Sequence, residues 1–147
     1  ETLADAPKFF ARLAREIKDL IADSRRSRTS VAGIGVSLPG YIEKATGNII
    51  AAENFGWMNV PAGDWLRRNL NIPIYFENNA KLSAFAEIWF GDHRNHSLRN
   101  VICVTSRDGI GTGIIINGEI YNGARDGAAA ATTATLPPIT GRLARFM

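Results

Sequence analysis

Apolar residues recur at helical spacing in two long segments of the chain. Residues 7–25 predict an amphipathic helix, and Pro7 suits its first turn. Residues 79–90 predict a second helix, which Gly91 ends. A brief helix is predicted at 64–70. The apolar positions that define the two long helices are Phe10, Leu13, Ile17, Leu20, Ile21, Leu82, Phe85, Ala86 and Trp89.

Short apolar runs and turn residues predict the strands. Asn117-Gly118 lies between two apolar runs and predicts a type I′ hairpin, because both central residues of that turn need positive φ. A second hairpin is predicted at 41–50 around the turn 46–48. Three further runs predict buried strands, at 31–38, 72–76 and 101–105.

Helices that alternate with buried strands indicate an α/β fold with a largely parallel sheet plus hairpins. The tail, residues 128–147, changes character: an alanine-rich run precedes Pro137-Pro138, and no periodicity follows. We therefore expect an irregular tail.

Composition fits one compact domain with a real core, since 46% of the 147 residues are hydrophobic and 21% are charged. The net charge of +3 is modest. Arg25, Arg26 and Arg28 lie near the end of the first helix, where cations complement the helix dipole, which disfavours a nucleic-acid patch. The sequence predicts no membrane segment and no signal peptide, so we expect the cytosol. Because Glu1 opens almost directly on a helix, we also expect preceding sequence.

Metal and redox chemistry receive little support. Cys103 lies in an apolar run and is expected to be a buried core residue. His93 and His96 follow a predicted helix end without further ligands nearby, so a solvated loop is favoured over a metal site. No metal and no cofactor are predicted.

Two polar clusters follow predicted strands, and ligands of α/β folds gather at the carboxyl ends of strands. Asn54 near Trp57 offers an amide and an indole, which suit a sugar, although Asn54 can also belong to a simple turn. Glu77, Asn78 and Asn79 open the second long helix. They can bind a polyol, or one of the asparagines can be its N-cap.

A third cluster is the glycine-rich bend at 108–113, which contains Asp108, Gly109, Gly111 and Gly113. Glycines allow backbone N–H groups to approach a phosphate, but the same pattern can be a bare tight turn. The bend lacks the lysine of a P-loop. Asp108 also places a carboxylate where a phosphate would bind, so we expect a poor nucleotide site.

These motifs occur in an order that resembles the ROK family (repressor, open reading frame, kinase). Residues 33–40 resemble the family's strand and turn, and residues 54–61 resemble its Asn-Leu-x-Trp sugar segment. Residues 72–91 are similar to its Glu-Asn-Asp-Ala helix, and residues 109–124 to its second phosphate loop and hairpin. The resemblance covers roughly residues 7–128.

The resemblance implies an actin-like ATPase (ribonuclease H-like) fold with a sugar between two lobes. Residues 1–79 would belong to the first lobe, residues 80–127 would start the second, and 128–147 would form an irregular tail. It also implies that sugar hydroxyls bind Asn54 and Asn78, while Glu77 and Trp57 shape the pocket.

Departures from the family pattern concern catalysis. The position of the kinases' general base is occupied here by Asn79, which cannot take a proton from a hydroxyl. Asp108 replaces a phosphate-binding Thr. After Gly127 the family's Gly-Glu-x-Gly-His segment and zinc knuckle are missing, and a repressor's helix-turn-helix would precede residue 1.

The sequence therefore predicts the catalytically inactive, sugar-sensing core of a ROK-type transcriptional regulator. Its expected partners are a sugar or sugar phosphate and a second copy of the chain, with DNA bound only through an upstream domain and no membrane. The alternatives are a fragment of an ATP-dependent sugar kinase and a structural remnant without a ligand.

Overall fold

The computed structural model describes residues 5–24, 31–91, 98–106, 109–124 and 126–128. Within these ranges three helices and eight strands follow one another, with a 3-10 turn at Glu53–Phe55 before the fourth strand. The helices are α1 (Ala6–Asp23), α2 (Ala62–Asn69) and α3 (Asn79–Phe90). The strands are β1 (Ile34–Leu38), β2 (Tyr41–Glu43), β3 (Asn48–Ala52), β4 (Trp57–Val60), β5 (Ile74–Asn78), β6 (Val101–Ser106), β7 (Ile110–Ile116) and β8 (Glu119–Ile120).

Local sequence signals account for the ends of the long helices. Asp5 caps α1 by accepting a hydrogen bond from the Lys8 backbone N–H at 3.3 Å, and Pro7 lies in the first turn. Asn78 caps α3, and Gly91 follows its last residue. Both helices predicted from periodicity are therefore confirmed. Arg25, Arg26 and Arg28 lie outside the described residues.

The strands form one parallel pair and two antiparallel sheets. β1 pairs with β5 in parallel, with Ile34 opposite Ile74. The orders β2-β3-β4 and β6-β7-β8 are antiparallel throughout. Short connections permit only antiparallel pairing, whereas α2 lies in the long crossover between β1 and β5. The α/β class is confirmed, but in the described ranges the parallel component is a single pair.

Turn geometry follows the sequence closely at the last hairpin. Asn117 and Gly118 both have positive φ, 54° and 86°, as a type I′ turn requires. The hairpin predicted at 41–50 is also present as β2 and β3. Cys103 lies in β6 opposite Gly113 and is half-buried, so the fully buried position predicted for it is wrong.

The main core joins α1 and α2 to the strands of the first half of the chain. Phe10 and Leu66 are fully buried beside Ile49, Trp57 and Phe76. α3 packs instead against β6 and β7. None of the helices in the described ranges is long and apolar enough to cross a membrane.

Candidate functional site

The structure brings the third predicted polar cluster against parts of the other two. A Cβ atom added to Gly109 would lie 2.8 Å from the Asn54 Nδ2 atom, so the turn before β4 contacts the start of β7. A Cβ atom added to Gly111 would lie 2.7 Å from the Ala80 Cβ, so β7 also contacts the first turn of α3, next to Asn79. We call Asn54, Asn79 and Gly109 the polar junction. It lies beside the carboxyl end of β5.

Asn54 and Asn79 are the exposed amides of this junction. Asn79 is the first residue of α3, and its Oδ1 accepts a hydrogen bond from the Ala80 N–H at 2.9 Å. A side-chain amide both donates and accepts hydrogen bonds, which matches the hydroxyl groups of a polyol. It cannot serve as a general base, because it has no group that takes a proton at neutral pH.

The Asn78 amide is used inside the protein. Its Oδ1 accepts hydrogen bonds from the backbone N–H groups of Ala80 at 2.9 Å and Lys81 at 3.1 Å. Its Nδ2 donates to the Gly40 carbonyl at 2.7 Å, and the residue is 2% exposed. The N-cap alternative for this residue is therefore confirmed. The Asn78 amide, which was predicted to contact a sugar, makes its hydrogen bonds inside the protein.

Glu77 is buried and paired within the protein. Its Oε1 accepts a hydrogen bond from the Asn78 N–H at 2.8 Å, and its Oε2 lies 2.6 Å from the Lys44 Nζ. A buried carboxylate needs such partners, since an unpaired charge is costly away from water. Glu77 thus fixes the end of β5, which directly precedes Asn79, to the β2–β3 turn.

Trp57 lies in the apolar core. Its ring centroid is 5.6 Å from that of Phe10 and 5.1 Å from that of Phe55, and only 3% of the residue is exposed. Aromatic rings at these distances stabilise a core. The Trp57 ring is thus covered by its neighbours, and its predicted role in shaping a sugar pocket stays a prediction.

The glycines that were predicted to form a phosphate loop lie largely within a strand. β7 begins at Ile110, so Gly111 and Gly113 belong to it. A Cβ atom added to Gly113 would lie 2.5 Å from the Ala84 Cβ, which shows that these glycines let β7 pack closely on α3. The tight bend is thus shorter than predicted. Asp108 lies outside the described residues.

Lys81 was not predicted, although it is one of the most buried side chains of the described residues at 1% exposed. Its Nζ donates to Asn122 Oδ1 at 3.1 Å and to the Asp126 carbonyl at 2.7 Å. Burial lowers the pKa of Lys81, an effect that Glu77 and Asp126 partly offset. The apolar positions of the second predicted helix gave no signal for it, since the buried residues of α3 are Ala80, Lys81 and Ala84, while Trp89 is exposed.

In the part of the chain that the structure describes, no group of three or more His, Cys, Asp or Glu side chains could hold a metal ion, and His93 and His96 lie outside it.

An apolar groove runs between α1 and β1, lined by Leu13, Ile17 and Ile34 among others. It offers few polar groups to orient a sugar.

Fold and junction together define an α/β domain in which a polar site lies between an N-terminal half with a parallel strand pair and a C-terminal antiparallel sheet. The model of the ROK family matches residues 6–132. The chain therefore belongs to the ROK family.

Curated relatives include both regulators and enzymes. The chain is 35% identical over 117 residues to a xylose repressor from Caldicellulosiruptor bescii, which covers 77% of this chain and 29% of the repressor. It is 32% identical over 111 residues to a glucokinase from Halalkalibacterium halodurans, covering 76% of this chain and 33% of that enzyme. The chain thus spans about a third of the length of these relatives.

A solved structure agrees with the family assignment. The ROK family glucokinase from Streptomyces griseus, in complex with glucose and AMPPNP, matches with a TM-score of 0.63 and 25% identity. The match covers 84% of this chain and 37% of the glucokinase. The chain accordingly has the actin-like ATPase fold of the family, in part.

Proposed function

We propose that this chain is the sugar-binding core of a ROK-type transcriptional regulator that does not transfer phosphate. The observation that carries the proposal is Asn79, an exposed amide at the first position of α3, where the family resemblance places the kinase base. An amide can hold a sugar hydroxyl but cannot deprotonate it. Ligand binding thus remains possible after the proton-transfer step is lost.

A sugar or sugar phosphate suits the junction chemically. Asn54 and Asn79 are exposed residues of two different elements, and Gly109 lies so close to Asn54 that an added Cβ would come within 2.8 Å of the Asn54 Nδ2 atom. We assign direct hydroxyl contacts to Asn54 and Asn79. Asn78 and Glu77 would position Asn79 by fixing the start of α3 and the end of β5. The relatives named for xylose and glucose make pentoses and hexoses the first ligands to test.

The alternative is a sugar kinase, and one observation favours it. The glucokinase relative is nearly as similar as the xylose repressor, at 32% against 35% identity. The junction would serve either protein as far as binding is concerned. The chain spans about a third of the length of these relatives. For the complete protein we therefore propose DNA binding through another domain, self-association and a cytosolic location.

Calorimetric titration of the complete protein with D-xylose, D-glucose and their phosphates tests the proposal. We expect one of these ligands to bind without ATP, and Asn79→Ala to weaken binding roughly tenfold, because a polar partner of a bound hydroxyl is lost. Asn71→Ala, an exposed asparagine at a distance along the chain, is the matched control and should bind normally. If none of these ligands binds, the alternative of a structural remnant without a ligand explains the chain better.

A further inference from the structure

A charged network links the N-terminal half of the chain to the segment after β8. We call residues 122–124 and 126–128 the strap. The buried Lys81 Nζ donates to Asn122 Oδ1 and to the Asp126 carbonyl, so one α3 side chain holds the strap at two points. The Ala128 N–H donates to the Asn122 carbonyl at 3.0 Å and closes the strap on itself.

The strap also contacts the β2–β3 turn. Asp126 Oδ2 accepts a hydrogen bond from the Lys44 backbone N–H at 3.3 Å, and the Lys44 Nζ pairs with Glu77. Asp126 has a φ of 56°, a left-handed backbone conformation that residues other than glycine adopt at a cost. The surrounding contacts therefore hold it in place.

The Lys81 backbone also takes part in the cap of α3, because its N–H donates to Asn78 Oδ1. Asn78 directly precedes Asn79 of the junction. We propose that Lys81 is a positioning residue that clamps the strap onto the β2–β3 turn and so fixes the β6–β8 sheet relative to the β1–β5 pair. This clamp keeps Gly109 beside Asn54. Its effect on a sugar rests on the proposed function, whereas the clamp itself does not.

Packing alone does not explain a lysine at this position. An apolar side chain of similar length would fill the same space without the cost of burying an ammonium group. What the ammonium adds is a pair of directed hydrogen bonds to the strap, at 3.1 and 2.7 Å. The lowered pKa of Lys81, caused first by burial, agrees with that cost.

Amide hydrogen exchange of Lys81→Met tests the clamp directly. The reporter amides are those of Lys44 and Ala128, which depend on the strap, and the reference is the Leu70 N–H at the end of α2. We expect exchange at the two reporters to rise roughly tenfold or more, with Leu70 unchanged. Lys18→Met, an exposed lysine on α1, is the matched control and should leave all three amides unchanged.

Unchanged exchange at Lys44 and Ala128 in folded Lys81→Met would overturn the clamp. If that variant does not fold, Asn122→Ala takes its place, since it removes the Oδ1 atom that accepts a hydrogen bond from the Lys81 Nζ and leaves the Asp126 carboxylate intact. The Lys44 amide must then lose protection, and retained protection rejects the clamp.

A sugar titration separates this inference from the proposed function. With D-xylose or D-glucose, whichever the unmodified protein binds, Lys81→Met should weaken binding roughly tenfold while Lys18→Met binds normally. Lost strap protection with unchanged affinity would contradict the positioning role. If the unmodified protein binds neither these sugars nor their phosphates, the proposed function fails, and the exchange result still decides the clamp.

Discussion

At the scale of single residues, Asn78 performs two structural tasks with one amide. Its oxygen caps α3, and its nitrogen ties the end of β5 to the Gly40 carbonyl. Asn78→Ala should lower the free energy of unfolding by about 1–3 kcal/mol, because a cap is lost and a carbonyl loses its partner. Chemical denaturation measures this difference, with the exposed Asn71→Ala as control. A loss no larger than that of the control would show that the cap contributes little.

Lys81 gives stability a pH dependence whose sign follows from its environment. Burial lowers its pKa below the usual 10.5, so between the two values the unfolded chain binds more protons than the folded chain. The contribution of Lys81 to the free energy of unfolding should therefore rise with pH across that window. Glu77, Asp126 and Lys44 are the charged groups that modulate this pKa.

Comparing unmodified protein with Lys81→Met at about pH 7 and about pH 10 isolates this effect, since the other titrating groups are common to both. We expect the unmodified protein to gain stability relative to the variant as pH rises. A difference that stays constant or falls between the two pH values would contradict the lowered pKa.

At the scale of elements, the packing of α3 on β7 depends on glycine. A Cβ atom added to Gly113 would lie 2.5 Å from the Ala84 Cβ and 2.6 Å from the Ala80 carbonyl oxygen, so helix and strand would have to separate. Gly113→Ala should lower the free energy of unfolding by about 1–3 kcal/mol in thermal or chemical denaturation. The matched control is Gly35→Ala in β1, where an added Cβ meets nothing within 4 Å. Equal stability of the two variants would refute this explanation.

Elements with local signals were predictable, and contacts between elements were not. Capping by Asn78, the stop at Gly91 and the Asn117-Gly118 turn are encoded within a few residues, and the structure has them. The burial of Trp57 against Phe10 joins distant parts of the chain, so a pattern read along the sequence cannot reveal it. The strap contacts of Lys81 are of the same kind.

At the scale of the whole molecule, the candidate site depends on how two halves of the chain meet. The sequence predicted Asn54, Asn79 and Gly109 as separate candidates, and the structure adds that Asn54 contacts Gly109 while Asn79 starts the helix beside Gly111. Family membership explains why these motifs occur in one chain. It does not distinguish regulator from kinase, since relatives of both classes match.

Phosphoryl transfer by the complete protein tests the central claim most directly. Loss of a general base costs on the order of 10²–10⁴ in rate, and a carboxylate at the position that the family resemblance gives Asp108 would oppose the charge of nucleotide phosphates. With ATP, Mg²⁺ and D-glucose or D-xylose, we predict no sugar phosphate above the background. Asn79→Asp alone should restore little activity, because nucleotide binding stays impaired. Sugar phosphorylation by the unmodified protein at an ordinary kinase rate, on the order of 1–100 per second, would contradict the account.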